Sequence, residues 1–328
     1  MRIWIVLLAV TLVLVLPGLL QSLYTHEEVI LQSTESDEKL FSDTKTIIHV
    51  KCEDTVEEME LDTYVLCVLL GEVPAEFEEE ALKAQAIATR TYTLRKMLQQ
   101  NKHADAHLCT QSSCCQAFME PSAYLASRGT QSDIEKINAA VLATSGQVIT
   151  FEGNLIEATY FSCSGGMTED AEAVWGTGVP YLQSVISPGE ENTKYYEREV
   201  QFTREEFLSR LGLDQSITFS EKDIDIHHTS GGGVDQMTVC GIAFDGTQVR
   251  TLLNLPSTAF RISIINDSIL ITIRGYGHRV GMSQYGADAM AVSGYQFDEI
   301  LKHYYPGAEI VTFTADQMNA VFDKAGNL

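Results

Sequence analysis

The chain has 328 residues, 45% of them apolar, which is enough to bury the core of one large domain or two ordinary ones. It carries 45 Asp and Glu against 22 Lys and Arg, a formal net charge of −23. This acidity excludes a nucleic-acid-binding protein and a protein held on anionic lipid, because both need a basic surface. The apolar share excludes general disorder, and an odd number of cysteines, seven, excludes a complete set of intramolecular disulfides.

An apolar segment opens the chain. Residues Ile3–Leu20 contain no charged side chain, and a helix of this length spans roughly 27 Å, about one hydrocarbon core. Arg2 precedes the segment and acidic residues follow it, which predicts a C-terminus outside the cell. A cleaved signal peptide is the alternative, but the segment is longer than a usual h-region and no small-residue cleavage site follows. We therefore predict a single-pass anchor over residues 1–22 in the cell membrane, with the rest of the protein extracytoplasmic.

The residues after this anchor are polar and strongly acidic, which is typical of a solvated spacer. We predict a linker over residues 23–44, a globular domain over 45–310 and a C-terminal tail over 311–328. Within the domain, residues 190–262 predict an α+β insertion that carries no chemistry of its own, with one alternating strand from Val234 to Phe244.

Glu72 lies in a break between two predicted helices. Asp62 can cap a short apolar helix from Tyr64 to Leu70, and Gly71 can end it. Pro74 then fits the first turn of the next helix. A carboxyl in such a partly apolar corner has a raised pKa and can act as a general acid. The alternative is a helix-capping or surface glutamate, which the local pattern alone favours.

A cluster of histidines and cysteines follows the second helix. His103, His107, Cys109, Cys114 and Cys115 fall within thirteen residues. Thiolate and imidazole are the ligands that Zn²⁺ prefers, and a closed set of four makes a structural rather than a catalytic site. A disulfide from Cys109 to Cys114 or Cys115, or plain surface thiols, are the alternatives. We predict structural zinc held by His103, Cys109, Cys114 and Cys115.

Two glycine-rich segments lie further along the chain. In residues 156–166 a strand runs into a turn that contains Cys163, but the spacing is not that of a nucleophile elbow, so we predict a cleft wall. Residues 275–287 are densest in glycine and lack the spacings of phosphate-binding loops. A helix is predicted to begin there at Ser283 and Gln284. His278 is either a site residue or a hydrogen-bonded structural histidine.

Taken together, these segments resemble the stage II sporulation protein D family, the lytic transglycosylases of endospore-forming bacteria. The resemblance spans about residues 45–310 in the family's order and is carried by Tyr64–Ala75, Glu80–Tyr92, Ala158–Gly166, Val249–Ser257 and Gly277–Gly286. It implies that Glu72 is the catalytic glutamate, which overrides the reading from local pattern. It also implies that the His/Cys cluster is similar to a zinc site of clostridial relatives.

By this resemblance the substrate is peptidoglycan glycan stripped of its stem peptides, cleaved between N-acetylmuramic acid and N-acetylglucosamine. Glu72 would protonate the leaving oxygen and then accept the proton of the muramic 6-hydroxyl as it closes onto C1, giving a 1,6-anhydro sugar. The expected sugar-binding residues are Lys83, Gln85, Arg90, Tyr92, His278, Ser283, Gln284 and Tyr285.

The resemblance also implies a place in engulfment during sporulation, at the mother-cell septum and engulfing membrane. The partners would be glycan strands, an amidase and a membrane scaffold (stage II sporulation proteins P and M), and no nucleic acid. Because related domains are amidase enhancers, a non-catalytic glycan-binding activator is the main alternative. Zinc-dependent hydrolysis at the His/Cys cluster is a third hypothesis. The intact Glu72 favours the enzyme.

We predict an α+β fold, one elongated domain in which helices holding Glu72 pack on twisted strands beside a cleft. The negative charge is uneven, since Ala81–Ala104 and Ser268–Ala287 hold basic residues and no acid. Peptide removal leaves each muramic acid with a free lactyl carboxylate. We therefore predict a basic or neutral cleft on an acidic body.

Overall fold

The computed structural model describes residues 46–53, 55–98, 103, 105–127, 129–314, 316–318 and 320. The predicted anchor and the whole of the predicted linker lie outside these ranges. Among the described residues, no helix combines the length and apolar character needed to cross a membrane. Helices and strands alternate along the chain, so the predicted α+β class is confirmed.

The first part of the chain is rich in helices and contributes short strands. In chain order its elements are β1 (Ile47–Cys52), β2 (Thr55–Glu60), α1 (Leu61–Glu72), α2 (Glu79–Leu98), β3 (Leu108–Cys109), α3 (Pro121–Ser127), α4 (Gln131–Ala143), β4 (Gln147–Phe151), β5 (Asn154–Leu155), β6 (Tyr160–Phe161) and α5 (Ala171–Trp175).

The middle part is mainly β and is followed by a return to helices. Its elements are β7 (Glu197–Thr203), α6 (Arg204–Arg210), a 3₁₀ turn (Glu221–Asp223), β8 (Ile224–His228), β9 (Val234–Val239), β10 (Ile242–Asp245), α7 (Gly246–Leu253), β11 (Ala259–Ile265) and β12 (Ser268–Arg274). The last elements are β13 (Met282–Ser283), α8 (Gln284–Val292), α9 (Phe297–Tyr304) and β14 (Glu309–Thr312).

The first hydrophobic core surrounds α2, which packs against α1, α4, α8, α9 and β4. Its alanines, including Ala84, Ala86 and Ala88, are buried and let the neighbouring helices approach closely. Two small sheets with orders β2-β1-β3 and β14-β4-β5 flank the helices, and β13 pairs in parallel with β6. Gly281 permits this last pairing, because a Cβ there would lie 2.2 Å from the Thr159 carbonyl oxygen.

The second hydrophobic core lies between the sheets β11-β12-β7 and β10-β9-β8, with α6 and α7. The predicted insertion, residues 190–262, stops short of β12, the central strand of the first of these sheets. The single strand predicted from Val234 to Phe244 is wrong. Cys240 and Gly241 have φ of 52° and 82°, so a two-residue turn divides it into the hairpin β9–β10.

A buried ion pair joins the two cores. Arg279 and Glu169 lie 3.1 Å apart, are almost fully buried, and connect the glycine-rich segment to the loop at Gly231–Gly233. The Arg279 guanidinium donates to the Gly231 carbonyl, and the Gly233 N–H donates to the Glu169 carboxylate. Each charge therefore has a partner and additional hydrogen bonds, as a buried pair requires.

Both ends of helix α1 lie at residues other than those predicted. It runs through Gly71 to Glu72, and the next helix begins at Glu79, beyond Pro74. Asp62 does not cap it, because its carboxylate instead accepts hydrogen bonds from the guanidinium of Arg90 on α2. The consequence for function is that Glu72 is the last residue of a helix and not part of a free loop.

Candidate functional site

Glu72 is held at the C-terminal end of α1 by two hydrogen bonds. The Ala117 backbone N–H donates to Oε1 at 3.0 Å, and the Gln284 side-chain amide donates to Oε2 at 3.3 Å. Gly71 lets the helix end approach this closely, since a Cβ there would lie 3.1 Å from the Phe118 nitrogen. The carboxyl group is partly exposed and has a fixed orientation.

The surroundings of Glu72 favour its protonated form. Burial raises the pKa of Glu72, and the hydrogen bonds from Ala117 and Gln284 lower it by less than burial raises it. The negative end of the α1 dipole also raises the pKa of Glu72, because it disfavours the charged carboxylate. Among the described residues, no charged side chain shifts the pKa of Glu72. The carboxyl group thus lies in a locally neutral setting, which is compatible with the neutral form of the predicted cleft.

Three tyrosines form a wall near Glu72. Burial raises the pKa of Tyr64, Tyr92 and Tyr160, and the negative charge of Glu72 adds to each shift. Gln116 links the wall together. Its side-chain amide donates to the Tyr160 hydroxyl at 2.7 Å, and its carbonyl oxygen accepts from Tyr64 at 3.3 Å and Thr93 at 3.0 Å.

Several predicted sugar-binding residues meet near this acid. Gln284 contacts Glu72 directly, Tyr285 follows it at the start of α8, and Tyr92 packs edge-on against Tyr160. Lys83 lies on α2 and is held by its helix neighbours, with its ammonium 2.7 Å from Glu79. The predicted start of α8 at Ser283 and Gln284 is confirmed.

Three of the predicted sugar-binding residues are buried in structural roles. Arg90 has no exposed surface and donates hydrogen bonds to Asp62 and to two backbone carbonyls. Its guanidinium is therefore not available to bind sugar. Ser283 is also fully buried, where it caps α8 and hydrogen-bonds the Glu190 carboxylate. Gln85 is 2% exposed and donates to Thr89. A side chain enclosed in this way offers no atom to a polymer outside.

His278 lies among aromatic rings. Its ring contacts Phe161 and Trp175, each with a centroid distance of 5.6 Å, and Trp175 is 45% exposed. Burial, with a contribution from Arg250, lowers the pKa of His278 to about 4. Nδ1 accepts a hydrogen bond from the Val280 N–H, so the neutral ring carries its proton on Nε2. His278 therefore acts as a neutral hydrogen-bonding group beside an exposed tryptophan.

The His/Cys cluster brings four ligand atoms together. Those of His103, Cys109, Cys114 and Cys115 all lie within 4.8 Å of one another. His103 Nε2 is 3.7 Å from the Cys114 sulfur and 3.5 Å from the Cys115 sulfur. No disulfide joins any of the chain's seven cysteines, all of which are described. Three sulfurs and one imidazole at this spacing fit the donor set of a tetrahedral zinc site.

His107 and Cys163 take other roles. The Nδ1 atom of His107 accepts the His49 backbone N–H, and the two rings stack. Cys163 is buried, and burial raises the pKa of its thiol to about 12, with the charge of Glu190 adding to the shift. A thiol of this kind is not a ready nucleophile, in agreement with the prediction that its turn shapes a wall.

Comparison with known proteins places the chain in a family. A family model described as "Stage II sporulation protein" matches residues 50–151. Stage II sporulation protein D of Bacillus subtilis is 34% identical over 318 residues, which cover 91% of this chain and 92% of the relative. The chain belongs to the stage II sporulation protein D family. Stage II sporulation protein D of Bacillus amyloliquefaciens is 36% identical over 260 residues, 78% of this chain and 75% of that protein.

A more distant relative is an amidase enhancer. The amidase enhancer of Bacillus subtilis is 27% identical over 301 residues, 75% of this chain and 40% of that protein. The range matched by the stage II sporulation protein model contains Glu72 and the His/Cys cluster. It also contains Gln116, which sequence reasoning missed because a lone glutamine after a cysteine pair gives no signal of its contacts. Tyr160 was also missed, because its sequence position gives no signal of its contacts, although it lies in a segment that carried the resemblance.

Proposed function

We propose that the protein is a lytic transglycosylase that cleaves the bond between N-acetylmuramic acid and N-acetylglucosamine in glycan strands without stem peptides. The observation that carries the proposal is the state of Glu72, a fixed, partly exposed carboxyl group whose pKa burial raises. A raised pKa favours the protonated form of the carboxyl group, in which it can deliver a proton as a general acid. Membership of a sporulation family agrees with a cell-wall substrate.

The reaction needs one carboxyl group acting twice. Protonated Glu72 gives its proton to the glycosidic oxygen as the bond from that oxygen to C1 breaks. The carboxylate then accepts the proton of the muramic 6-hydroxyl, whose oxygen forms the new bond to C1. The product is a 1,6-anhydro sugar, and no water is consumed.

A glycoside hydrolase would need a second carboxylate across the bond as base or nucleophile. No neighbouring carboxylate raises the pKa of Glu72 among the described residues, which supports the single-acid scheme. Gln284 and the Ala117 N–H would stabilise the carboxylate once its proton has left. Tyr92 and Tyr285 remain the proposed sugar contacts near the acid, and His278 is a proposed contact beside Trp175.

The test is mass spectrometry of the products released from denuded peptidoglycan. Glu72→Gln keeps the size of the side chain but has no proton to give, so we expect release of anhydro sugar to fall about 10²- to 10⁴-fold. Glu79→Gln is the matched control, because Glu79 is exposed at the start of α2 and should leave the rate unchanged. Undiminished release by Glu72→Gln would refute the proposal, and reducing-end products would indicate a hydrolase instead.

We further propose that His103, Cys109, Cys114 and Cys115 hold a structural zinc ion. Four protein ligands close a tetrahedral site and leave no open position for water, which argues against zinc-dependent hydrolysis. The ion would cross-link the segment that ends at Cys115. Gln116 and Ala117 follow directly, so the cluster would steady the backbone N–H that holds Glu72.

The cellular setting is proposed from the family and the apolar N-terminal segment. The protein would be anchored in the cell membrane with its catalytic domain outside, at the septum that the mother cell remodels during engulfment. An amidase would supply its substrate, with stage II sporulation proteins P and M as partners. The amidase enhancer relative favours a second candidate, a glycan-binding activator of an amidase, which predicts unchanged amidase stimulation by the Glu72→Gln protein.

A further inference from the structure

A row of aromatic rings leads away from Glu72. Tyr285 follows Gln284, whose amide contacts the acid. The Tyr285 ring lies 5.4 Å from that of Tyr195, which lies 5.3 Å from that of Tyr276. We define these three residues, Tyr285, Tyr195 and Tyr276, as the aromatic platform.

The platform is accessible to a ligand. Tyr276 is 44% exposed, and Tyr195 and Tyr285 are partly exposed. The Tyr285 ring is supported from behind by the buried Phe77, at 5.1 Å and edge-on. Rings held by other rings offer rigid apolar faces at little entropic cost, which suits a ligand that alternates apolar faces with hydroxyl groups, as a sugar chain does.

A lysine lies over the middle of the platform. The Lys194 ammonium is 5.0 Å from the Tyr195 ring centroid, and the side chain is exposed. No described carboxylate lies within ion-pair distance of Lys194. The neighbouring Arg274, which lies over Tyr196, is by contrast paired with Glu197 at 2.9 Å.

Two carboxylates lie at the other end of the platform. Burial is the main cause of the raised pKa of Tyr285, at the end of the platform nearest the acid, and the charges of Asp288 and Glu76 add to the shift. On a protein of net charge −23, a lysine ammonium without a described carboxylate partner is a local binding point for an anion. An anion that also presents sugar rings fits both features together.

We propose that the aromatic platform binds the glycan strand and that Lys194 binds the free lactyl carboxylate of a muramic acid residue. This inference rests on the proposed function and adds to it a residue that selects strands whose stem peptides have been removed. In an intact strand that carboxyl group is an amide and carries no charge for the ammonium to bind. Lys194 thus distinguishes the product of an amidase from its substrate.

The test measures binding to the full-length Glu72→Gln protein, so that cleavage does not interfere. The ligands are short denuded glycan, with free lactyl carboxylates, and chitooligosaccharide of equal length, which has the rings without the carboxylates. Lys194→Ala should weaken binding of denuded glycan about 2- to 5-fold at low salt, less at high salt, and leave chitooligosaccharide binding unchanged. Tyr195→Ala should weaken binding of both ligands.

Lys222→Ala is the matched control, since Lys222 is exposed near the second core and its loss changes the net charge equally. Lys194→Glu should weaken binding of denuded glycan further than Lys194→Ala. Unchanged binding by Lys194→Ala, or an equal loss for both ligands, would overturn the inference. Undiminished anhydro-sugar release by the Glu72→Gln protein would instead count against the proposed function, and the binding comparison would still stand.

Discussion

Replacing Glu72 by glutamine is expected to stabilise the folded protein above neutral pH. Burial and the negative end of α1 disfavour the charged carboxylate, and no described cation offsets them. Glutamine has the same shape and can still accept the Ala117 N–H, while the Gln284 amide can rotate to present its oxygen. The substitution therefore removes a poorly solvated charge and retains the packing.

The pH dependence of this change in stability follows from the direction of the pKa shift. The pKa of Glu72 in the folded protein lies above its value in the unfolded chain, about 4.3. The folded state therefore binds more protons between these two values, and the contribution to stability is complete below about pH 4 and lost as the pH rises through the folded pKa. One pKa unit corresponds to about 1.4 kcal/mol. Because the group is partly exposed, we expect Glu72→Gln to gain about 1 kcal/mol at pH 8 and nothing at pH 4.

Thermal unfolding at the two pH values measures this difference. For a domain of this size about 1 kcal/mol raises Tm by roughly 2–4 °C. Glu79→Gln provides a control of opposite sign, because hydrogen bonding and charge from Lys83 lower the pKa of Glu79, so its loss should destabilise slightly at pH 8. The reasoning is refuted if Glu72→Gln lowers Tm at pH 8, or if its gain is the same at pH 4.

Two further predictions concern the support of the site. Asp62→Asn leaves the fully buried Arg90 without its ion-pair partner, and urea unfolding should show a loss of about 3–5 kcal/mol; a loss below 1 kcal/mol would contradict the structural role of Arg90. Purified protein should contain one zinc per chain by atomic emission, and Cys115→Ser should lower both the metal content and Tm. Activity lost on chelation at an unchanged Tm would point to a catalytic metal instead.

The acid could be identified from the sequence only with the help of family resemblance. In the local sequence pattern Glu72 is one of several glutamates around a helix break. Its hydrogen-bond partners, Ala117 and Gln284, are 45 and 212 residues away along the chain. Composition and spacing do not reveal such contacts. The His/Cys cluster at residues 103–115 was easier to predict from the sequence, because its four candidate ligands are close together along the chain and their chemistry is distinctive.

The errors have a common physical cause. Arg90 and Ser283 were assigned to sugar because they are polar residues in motif segments, yet both are fully buried and hold the fold together. A helix such as α2, buried on nearly every side, gives no amphipathic pattern that would separate an inward arginine from an outward one. Strand β9 was extended too far because alternation continued across Cys240, whose positive φ the sequence does not announce.

The ion pair between Arg279 and Glu169 bears on how the molecule reaches its native state. The pair and its loop join points that are 110, 64 and 48 residues apart along the chain. Contacts of such long range are made only after their loops have closed, which is slow compared with helix formation. We therefore expect the segment that carries His278 and Gln284 to reach its native position only when the chain between Glu169 and Arg279 has folded back on itself. Gln284 contacts Glu72 across 212 residues of chain, so the acid gains its second hydrogen bond only when this segment closes onto α1.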